Sequence, residues 1–234
     1  MTLLGMVGGI APESTIAYYR LLVAGYRARV PDAYPRILIN SIDLARLLAL
    51  AGAGDLPALT EFLGAEVERL ARAGAGLAFF ASNTPHLVFD AVQRRSPIPL
   101  VSIVEATADR AKELGLSRVG LLGTRVTMEA RFYPDVLATR GIAVHAPDGA
   151  DREYAHRVYS TELVNGTFLP ESRAGMLAVI ERLKTGSGVE AVILGGTELP
   201  LLLDANTQSP VPLLDTAVIH VEEILRRLLT PVAT

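Results

Sequence analysis

Two short polar segments, each following an apolar run, carry residue types suited to proton transfer and to binding a polar ligand. The first, residues 82–86, reads Ser-Asn-Thr-Pro-His, and the second, residues 196–198, reads Gly-Thr-Glu. A partly buried Glu can act as a base because burial raises its pKa toward neutrality. Functional residues of α/β sheets also concentrate just beyond the strands. The candidate site residues in these segments are Ser82, Asn83, Thr84, Gly196, Thr197 and Glu198.

His86 is a further candidate at the end of the first segment. Its imidazole could polarise a bound ligand and take part in catalysis. The alternative is a structural histidine whose ring forms hydrogen bonds at the start of a helix, which is the commoner role for a histidine in that position.

An internal repeat relates the two segments. Ser82 and Gly196 are 114 positions apart, and the same spacing separates Gly9 from Gly123. This pattern predicts a degenerate duplication into two similar halves. In a pseudo-twofold molecule the corresponding strand ends of the halves can face a shared cleft, and such clefts are the usual place for a small ligand.

Two turns are candidate sites for carboxylates. The first contains Gly9, Pro12 and Thr15, where glycine permits close backbone approach and proline and hydroxyl residues suit a helix start. The corresponding turn of the second half contains Thr124 and Thr127. Free amides at a helix start favour an anion, although a structural turn and plain helix capping are the alternatives. The glycines read G-x-x-G-G rather than G-x-G-x-x-G, which disfavours dinucleotide binding.

Composition excludes several classes of protein. The 234 residues carry a formal charge of −3 without a Lys/Arg cluster, so nucleic acid is not expected as a partner. No apolar run approaches the roughly 20 residues that cross a bilayer, and the N-terminus does not read as a targeting leader, so we expect a cytoplasmic protein without membrane contact. Cysteine is absent and the four histidines are scattered. We therefore expect neither a metal nor a cofactor.

Short β-branched or Leu-rich runs alternate with amphipathic segments, which predicts parallel strands joined by helices. The predicted fold is α/β, with two similar three-layer domains, each containing a parallel sheet. Strands are predicted near 2–7, 36–40, 77–81, 98–101, 118–122, 142–145, 190–194 and 211–213. Helices are predicted at 14–29, 56–74, 102–115, 127–140, 152–164, 171–185 and 215–229. The predicted domains are 1–97 with 205–234, and 98–204.

The chain resembles the aspartate/glutamate racemase family of cofactor-independent racemases nearly from end to end. The resemblance implies two similar α/β domains with the site in the cleft between them, a small amino-acid or dicarboxylate substrate and a homodimer. The segments that carry it are residues 8–15 with Tyr18-Tyr19, 82–86, 120–124 with Thr127-Met128, Phe132-Tyr133, Glu162-Leu163 with Gly166, Ser172-Arg173, and 193–198.

The resemblance also implies a mechanism that this chain cannot use. In the family, two cysteines face each other across the substrate α-carbon, where one removes the proton and the other returns a proton to the opposite face. Their positions correspond to Ser82 and Gly196, so both thiols are missing. A thiol with a pKa of about 8.5 can be tuned to a thiolate base. A serine hydroxyl needs a partner base, and glycine has no side chain.

Three interpretations remain open. The protein is an isomerase or racemase in which Glu198, His86 or a hydroxyl relayed by water exchanges the proton. Alternatively, it is a related carboxylate enzyme such as a decarboxylase, which needs only one proton donor. The third interpretation is an inactive carboxylate-binding protein. The binding residues implied for a substrate are Gly9, Pro12, Thr15, Asn83, Thr84, Thr124, Thr127 and Thr197.

Overall fold

The computed structural model describes residues 2–230, which divide into two compact units. Unit 1 runs to Ile103 and resumes at Ala217, and unit 2 is Val104–Thr216. The sequence analysis placed these boundaries after residues 97 and 204. They lie further along the chain because the strand near residue 100 pairs within unit 1 and the strand near residue 214 pairs within unit 2.

Each unit contains a four-stranded parallel sheet, and the strand order is the same in both: β2-β1-β3-β4 in unit 1 and β6-β5-β7-β8 in unit 2. All eight strands predicted from the sequence are present. The strands are β1 (Leu4–Gly8), β2 (Ile37–Ser41), β3 (Leu77–Phe80), β4 (Leu100–Val101), β5 (Arg118–Gly123), β6 (Ala143–His145), β7 (Ala191–Gly195) and β8 (Leu213–Asp215).

The helices follow the predicted pattern with three additions, α2, α4 and α10. The helices are α1 (Pro12–Arg29), α2 (Leu44–Ala53), α3 (Leu56–Arg72), α4 (Phe89–Arg95), α5 (Ile103–Glu113), α6 (Arg125–Glu129), α7 (Phe132–Ala138), α8 (Gly149–Thr161), α9 (Pro170–Ser187), α10 (Leu199–Leu202) and α11 (Thr216–Leu229). Short 3₁₀ helices span Thr84–Leu87 and Leu163–Asn165.

The helix predicted at 127–140 is broken into α6 and α7. Ala130 lies between them in an extended conformation. Pro134 has no N–H to donate to the carbonyl of Ala130, and its ring would clash with that carbonyl in a continuous helix. The break therefore follows from one proline that the apolar periodicity did not take into account.

The duplication is visible in the strands themselves. β1 and β5 begin at Leu4 and Arg118, and β3 and β7 begin at Leu77 and Ala191, so both pairs keep the 114-residue spacing. Together with the shared strand order, this confirms the α/β fold with two similar parallel sheets. The sequence repeat therefore corresponds to a repeat of structure.

Both faces of β1, an interior strand of the unit 1 sheet, are buried. Leu4 and Met6 of β1 pack in one apolar cluster with Tyr18 of α1 and Ile224 of α11, whereas Val7 packs in another cluster with residues of α3. Successive strand residues point to opposite faces, so helices cover the sheet on both sides. Within residues 2–230, no helix is both long and apolar enough to cross a membrane.

Candidate active site

In unit 1, the carboxyl ends of β1 and β3 lie side by side, because Val7 of β1 pairs with Phe80 of β3. A buried hydrogen bond joins the segments that follow them: Ser14 Oγ donates to the carbonyl oxygen of Ala81 at 2.6 Å. Ala81 directly precedes Ser82. The fold therefore brings the first turn and the Ser-Asn-Thr segment together, with Ser14 connecting them.

Gly9 and Thr15 hold the first turn closed. Gly9 has a φ of +81°, and a β-carbon on it would lie 2.7 Å from the hydroxyl of Ser41 and 2.8 Å from the carbonyl oxygen of Ile42. The turn therefore needs glycine at this position. The Gly9 N–H donates to Thr15 Oγ1 at 2.7 Å. Both groups thus have a partner inside the turn, and Pro12 follows as the first residue of α1.

The Ser82 segment is largely buried, with Ser82 8% and Asn83 3% exposed, while Thr84 is half-buried. Thr84 begins the 3₁₀ helix that includes Pro85 and His86. Polar side chains at such a position need partners, because burying an unpaired polar group costs about 1–3 kcal/mol. The segment therefore presents polar groups where β3 ends.

Both ring nitrogens of His86 are bonded within unit 1. Nε2 accepts a hydrogen bond from the Ile103 N–H at 3.2 Å, so Nδ1 carries the proton and donates to the carbonyl oxygen of Asn83 at 3.2 Å. The ring stacks on Phe89, with centroids 4.8 Å apart. Burial lowers the pKa of His86 to about 3. This geometry favours a positioning role over the catalytic role considered from the sequence.

In unit 2, the turn after β5 is a capped helix start. Thr124 Oγ1 accepts a hydrogen bond from the Thr127 N–H at 3.2 Å, and the two hydroxyl groups lie 3.1 Å apart. The Arg125 N–H donates to His156 Nδ1 at 3.3 Å. Two of the amides at this helix start thus have protein partners, and the arrangement matches the capping alternative.

The segment after β7 is built around Glu198, which is 2% exposed. Its Oε2 accepts hydrogen bonds from the hydroxyl of Tyr159 and, at 3.1 Å, from Thr197 Oγ1. Thr197 and Tyr159 are themselves buried. Two hydroxyl donors on one carboxylate oxygen form a compact polar group in the interior of unit 2.

Tyr159 is the residue that the sequence analysis missed. A β-carbon on Gly196 would lie 2.8 Å from both the Cζ atom and the hydroxyl oxygen of Tyr159, so the tyrosine fills the space beside the glycine. Burial raises the pKa of Tyr159 well above its usual value, and the negative charge of Glu198 raises it further. The sequence shows a tyrosine within a helix and a glycine 37 positions later, and neither signals that they meet.

Within each unit the structure brings together part of the predicted set. In unit 1, Asn83 contacts His86, and Gly9 contacts Thr15. In unit 2, Thr124 contacts Thr127, and Thr197 contacts Glu198. Among residues 2–230, no group of three His, Asp or Glu side chains is placed to hold a metal ion.

Comparison with known proteins finds similarity to racemases and their homologues. The family model for Asp/Glu/hydantoin racemase matches residues 7–224. A Yersinia pestis structure described as a candidate Asp/Glu racemase is 35% identical, with a TM-score of 0.89, and the match covers 98% of this chain and 100% of that one. An aspartate racemase homologue from Pyrococcus horikoshii OT3 is 36% identical, with a TM-score of 0.83 and coverage of 97% and 99%.

A third relative extends the comparison at the level of sequence. An uncharacterised protein from the pnlA 3′ region of Pectobacterium carotovorum subsp. carotovorum is 30% identical over 143 residues. The match covers 59% of this chain and 89% of that protein.

Proposed function

Because this chain belongs to the Asp/Glu/hydantoin racemase family, we propose that it binds a small amino acid and exchanges the proton on its α-carbon without thiol groups. Aspartate and glutamate are the first candidate substrates, since the similar solved structures are described as an Asp/Glu racemase candidate and an aspartate racemase homologue. The fold, the family and the polar strand ends all support this proposal.

The observation that carries the proposal is the equivalence of two buried polar segments. Ser82 follows β3 and Gly196 follows β7, and both strands are interior strands of four-stranded sheets with the same order. Ligands of open α/β sheets bind at the carboxyl ends of the strands. Asn83, Thr197 and Glu198 lie buried at these ends, so both units place polar side chains where such ligands bind.

Substrate binding is assigned by proposal to polar groups at the strand ends. Asn83 and Thr84 of unit 1, and Thr197 of unit 2, offer hydroxyl and amide groups to the carboxylate and amino groups of an amino acid. Thr127, whose N–H and hydroxyl are bonded to Thr124, belongs to the turn itself. Gly9, Pro12, Thr15 and Thr124 shape the two turns, since the hydrogen bonds of Gly9 and Thr124 hold these turns closed.

Without thiols, the proton transfer must use groups that are less effective in it than a thiolate. Ser82 supplies a hydroxyl, whose ordinary acidity is far below that of a thiol, and Glu198 supplies a carboxylate. We therefore expect α-proton exchange slower than a two-thiol racemase would give. The homodimer and the cytoplasmic location stay predictions from the sequence. Light scattering on the purified protein would test the dimer.

A binding protein without turnover is the second candidate function. The observation in its favour is that Tyr159 fills the space beside Gly196, so this position carries no acid or base of its own. A ligand that binds only the folded state would then raise the unfolding temperature through mass action, with no change in the ligand.

Proton NMR in deuterated water separates the two candidates. The purified protein is incubated separately with the D and L forms of aspartate and glutamate, and loss of the α-proton signal is followed while thermal unfolding reports binding. We expect stabilisation together with slow loss of the signal. Stabilisation without exchange would instead identify a binding protein, and absence of both would overturn the proposed function.

Two substitutions connect the result to the site. Thr84→Ala and Thr197→Ala should each weaken the stabilisation given by the amino acid, because each removes a hydroxyl from a strand-end segment. Thr185→Ala is the matched control, since Thr185 is exposed on α9 and its hydroxyl bonds to the carbonyl oxygens of its own helix. Unchanged ligand stabilisation in both site variants would contradict the site assignment.

A further inference from the structure

We propose that Tyr159 is the proton-transferring residue of unit 2 and that Glu198 is its proton acceptor. This inference rests on the proposed function and assigns the group that acts at the strand end where the chain has glycine. The residues involved, Tyr159, Gly196, Thr197 and Glu198, all belong to unit 2.

The position of the phenol is the first argument. Tyr159 lies on α8, and its hydroxyl oxygen is 2.8 Å from the place where a β-carbon on Gly196 would stand. A side chain on residue 196 would begin at that β-carbon. The phenol oxygen therefore lies in the region from which a side chain of residue 196 would act, and α8 delivers a polar hydrogen there in its place.

The conformation of Gly196 supports this interpretation. Its φ lies outside the left-handed region, so the backbone itself does not require glycine. The Tyr159 ring is what excludes a side chain at 196. Tyr159 of α8 thus occupies the space that a side chain of residue 196 would otherwise take.

The hydrogen bonds between Tyr159 and Glu198 define the direction in which the phenol proton moves. The Tyr159 hydroxyl donates to Glu198 Oε2, and Thr197 Oγ1 donates to the same oxygen at 3.1 Å. The phenol proton therefore already points at a carboxylate that can receive it. The phenol oxygen also accepts a hydrogen bond from the Glu198 N–H. With the Thr197 hydroxyl donating to Glu198 Oε2, one lone pair of the phenol oxygen is left to accept a proton from a ligand.

The proton transfer proceeds as a relay. A lone pair of the phenol oxygen takes the α-proton of the bound amino acid as the phenol's own proton passes to Glu198 Oε2. The two electrons of the broken C–H bond remain on the substrate as a carbanion stabilised by its carboxylate, and Glu198 becomes neutral. The reverse steps return a proton, or a deuteron gained from solvent, to the same face of the α-carbon.

A relay also agrees with the electrostatics of the site. Burial and the charge of Glu198 hold the pKa of Tyr159 well above its usual range, so the phenol stays protonated at neutral pH. A free tyrosinate is not needed, because the phenol gains one proton as it loses another. Glu198 is the protein group whose net charge changes: it becomes neutral as the substrate gains a negative charge.

The test compares Tyr159→Phe with a matched control in the deuterium-exchange experiment. Phenylalanine keeps the ring beside Gly196 and removes only the hydroxyl. Tyr154→Phe is the control, because Tyr154 lies on the same helix and packs its ring under Arg157. We expect Tyr159→Phe to lower the exchange rate by about 100-fold or more, as for loss of a general acid or base, and Tyr154→Phe to leave it unchanged.

Glu198→Gln is the second variant, and it tests the acceptor. Glutamine keeps the shape of Glu198 and accepts a hydrogen bond from the phenol, but it cannot take up a proton. We expect a comparable loss of exchange, with the thermal unfolding and ligand stabilisation of each variant measured alongside. This variant also tests the inference if Tyr159→Phe does not fold.

The outcomes distinguish this inference from the proposed function. Wild-type exchange that persists for both enantiomers in Tyr159→Phe or in Glu198→Gln would overturn the relay and leave the proposed function standing. A wild type that binds amino acids but exchanges none of them would overturn both. Loss of exchange in both variants with ligand stabilisation retained would support the relay.

Discussion

The ring of Tyr159 occupies the space that a side chain on Gly196 would need. Its Cζ atom and its hydroxyl oxygen both lie 2.8 Å from the position of a β-carbon on that glycine, closer than β-carbons approach other atoms in proteins. The two positions therefore cannot vary independently. A side chain at 196 requires either a shift of the Tyr159 ring or a smaller residue at 159.

The first prediction concerns stability. Gly196→Ala should lower the free energy of unfolding by about 1–3 kcal/mol, because overpacking a buried site forces neighbouring side chains and backbone to shift. Urea denaturation measures the change. Combining Gly196→Ala with Tyr159→Leu should cost less than the two single changes added together, since leucine relieves the clash.

The control for this prediction is Gly186→Ala on α9. A β-carbon on Gly186 meets no atom within 4 Å, so alanine should raise the free energy of unfolding by up to about 1 kcal/mol through helix propensity. A Gly196→Ala protein as stable as the wild type, beside a stabilised Gly186→Ala, would show that the Tyr159 ring moves without cost.

The second prediction concerns thiols. Introducing Ser82→Cys and Gly196→Cys together should not raise racemisation while Tyr159 is present, because the second sulfur has no room. Adding Tyr159→Ala to this pair should raise it, since a cysteine side chain can then occupy the space beside position 196. Polarimetry or chiral chromatography with aspartate and glutamate measures the rate.

Ligand stabilisation of each thiol variant provides the control for the second prediction. A triple variant that folds and binds amino acids but racemises no faster than the double variant would show that space beside residue 196 does not limit the chemistry.

The sequence predicted the repeat, the eight strands and the polar strand ends because these depend on local pattern and on spacing. It did not predict Tyr159 beside Gly196, because that contact joins a helix to a distant strand end and depends on packing. The role of His86 was undecided for the same reason. Its hydrogen bond to the Ile103 N–H links positions 17 residues apart and leaves no local signature.

The third prediction concerns the pH dependence of proton exchange. Burial and the charge of Glu198 hold the pKa of Tyr159 well above its usual value. The phenol therefore does not ionise in the neutral to mildly alkaline range, and the wild-type exchange rate should show no rise as pH increases through about 8.5. The variant with both cysteines and Tyr159→Ala should show such a rise, as thiols ionise there. An alkaline rise in the wild type would contradict the prediction.

The fourth prediction concerns Ser14, which connects the first turn to the strand end before Ser82. Ser14→Ala should lower the free energy of unfolding by about 1–3 kcal/mol, because the buried carbonyl of Ala81 loses its side-chain donor. It should also weaken amino-acid binding, since the Ser82 segment loses an anchor. Ser160→Ala is the control, because Ser160 is exposed and bonds to carbonyls of its own helix.

The fifth prediction concerns acid stability, which two buried histidines of unit 1 should limit. Burial lowers the pKa of His86 and of His220 to about 3 in each case. His220 Nε2 donates to the carbonyl oxygen of Val101, and its Nδ1 accepts from the hydroxyl of Tyr18 at 2.9 Å. Both rings are therefore held neutral in the folded protein.

The sign of this effect follows from proton uptake. An unfolded histidine has a pKa of about 6.5, so between that pH and about 3 the unfolded chain binds protons that the folded chain does not. The free energy of unfolding should thus fall as the pH decreases below 6.5, by up to about 1.4 kcal/mol per pH unit for each histidine. Urea denaturation at a series of pH values measures the slope. His220→Gln should lower the starting stability and reduce the slope by up to that amount, and a variant with the full wild-type slope would show that His220 is not the source.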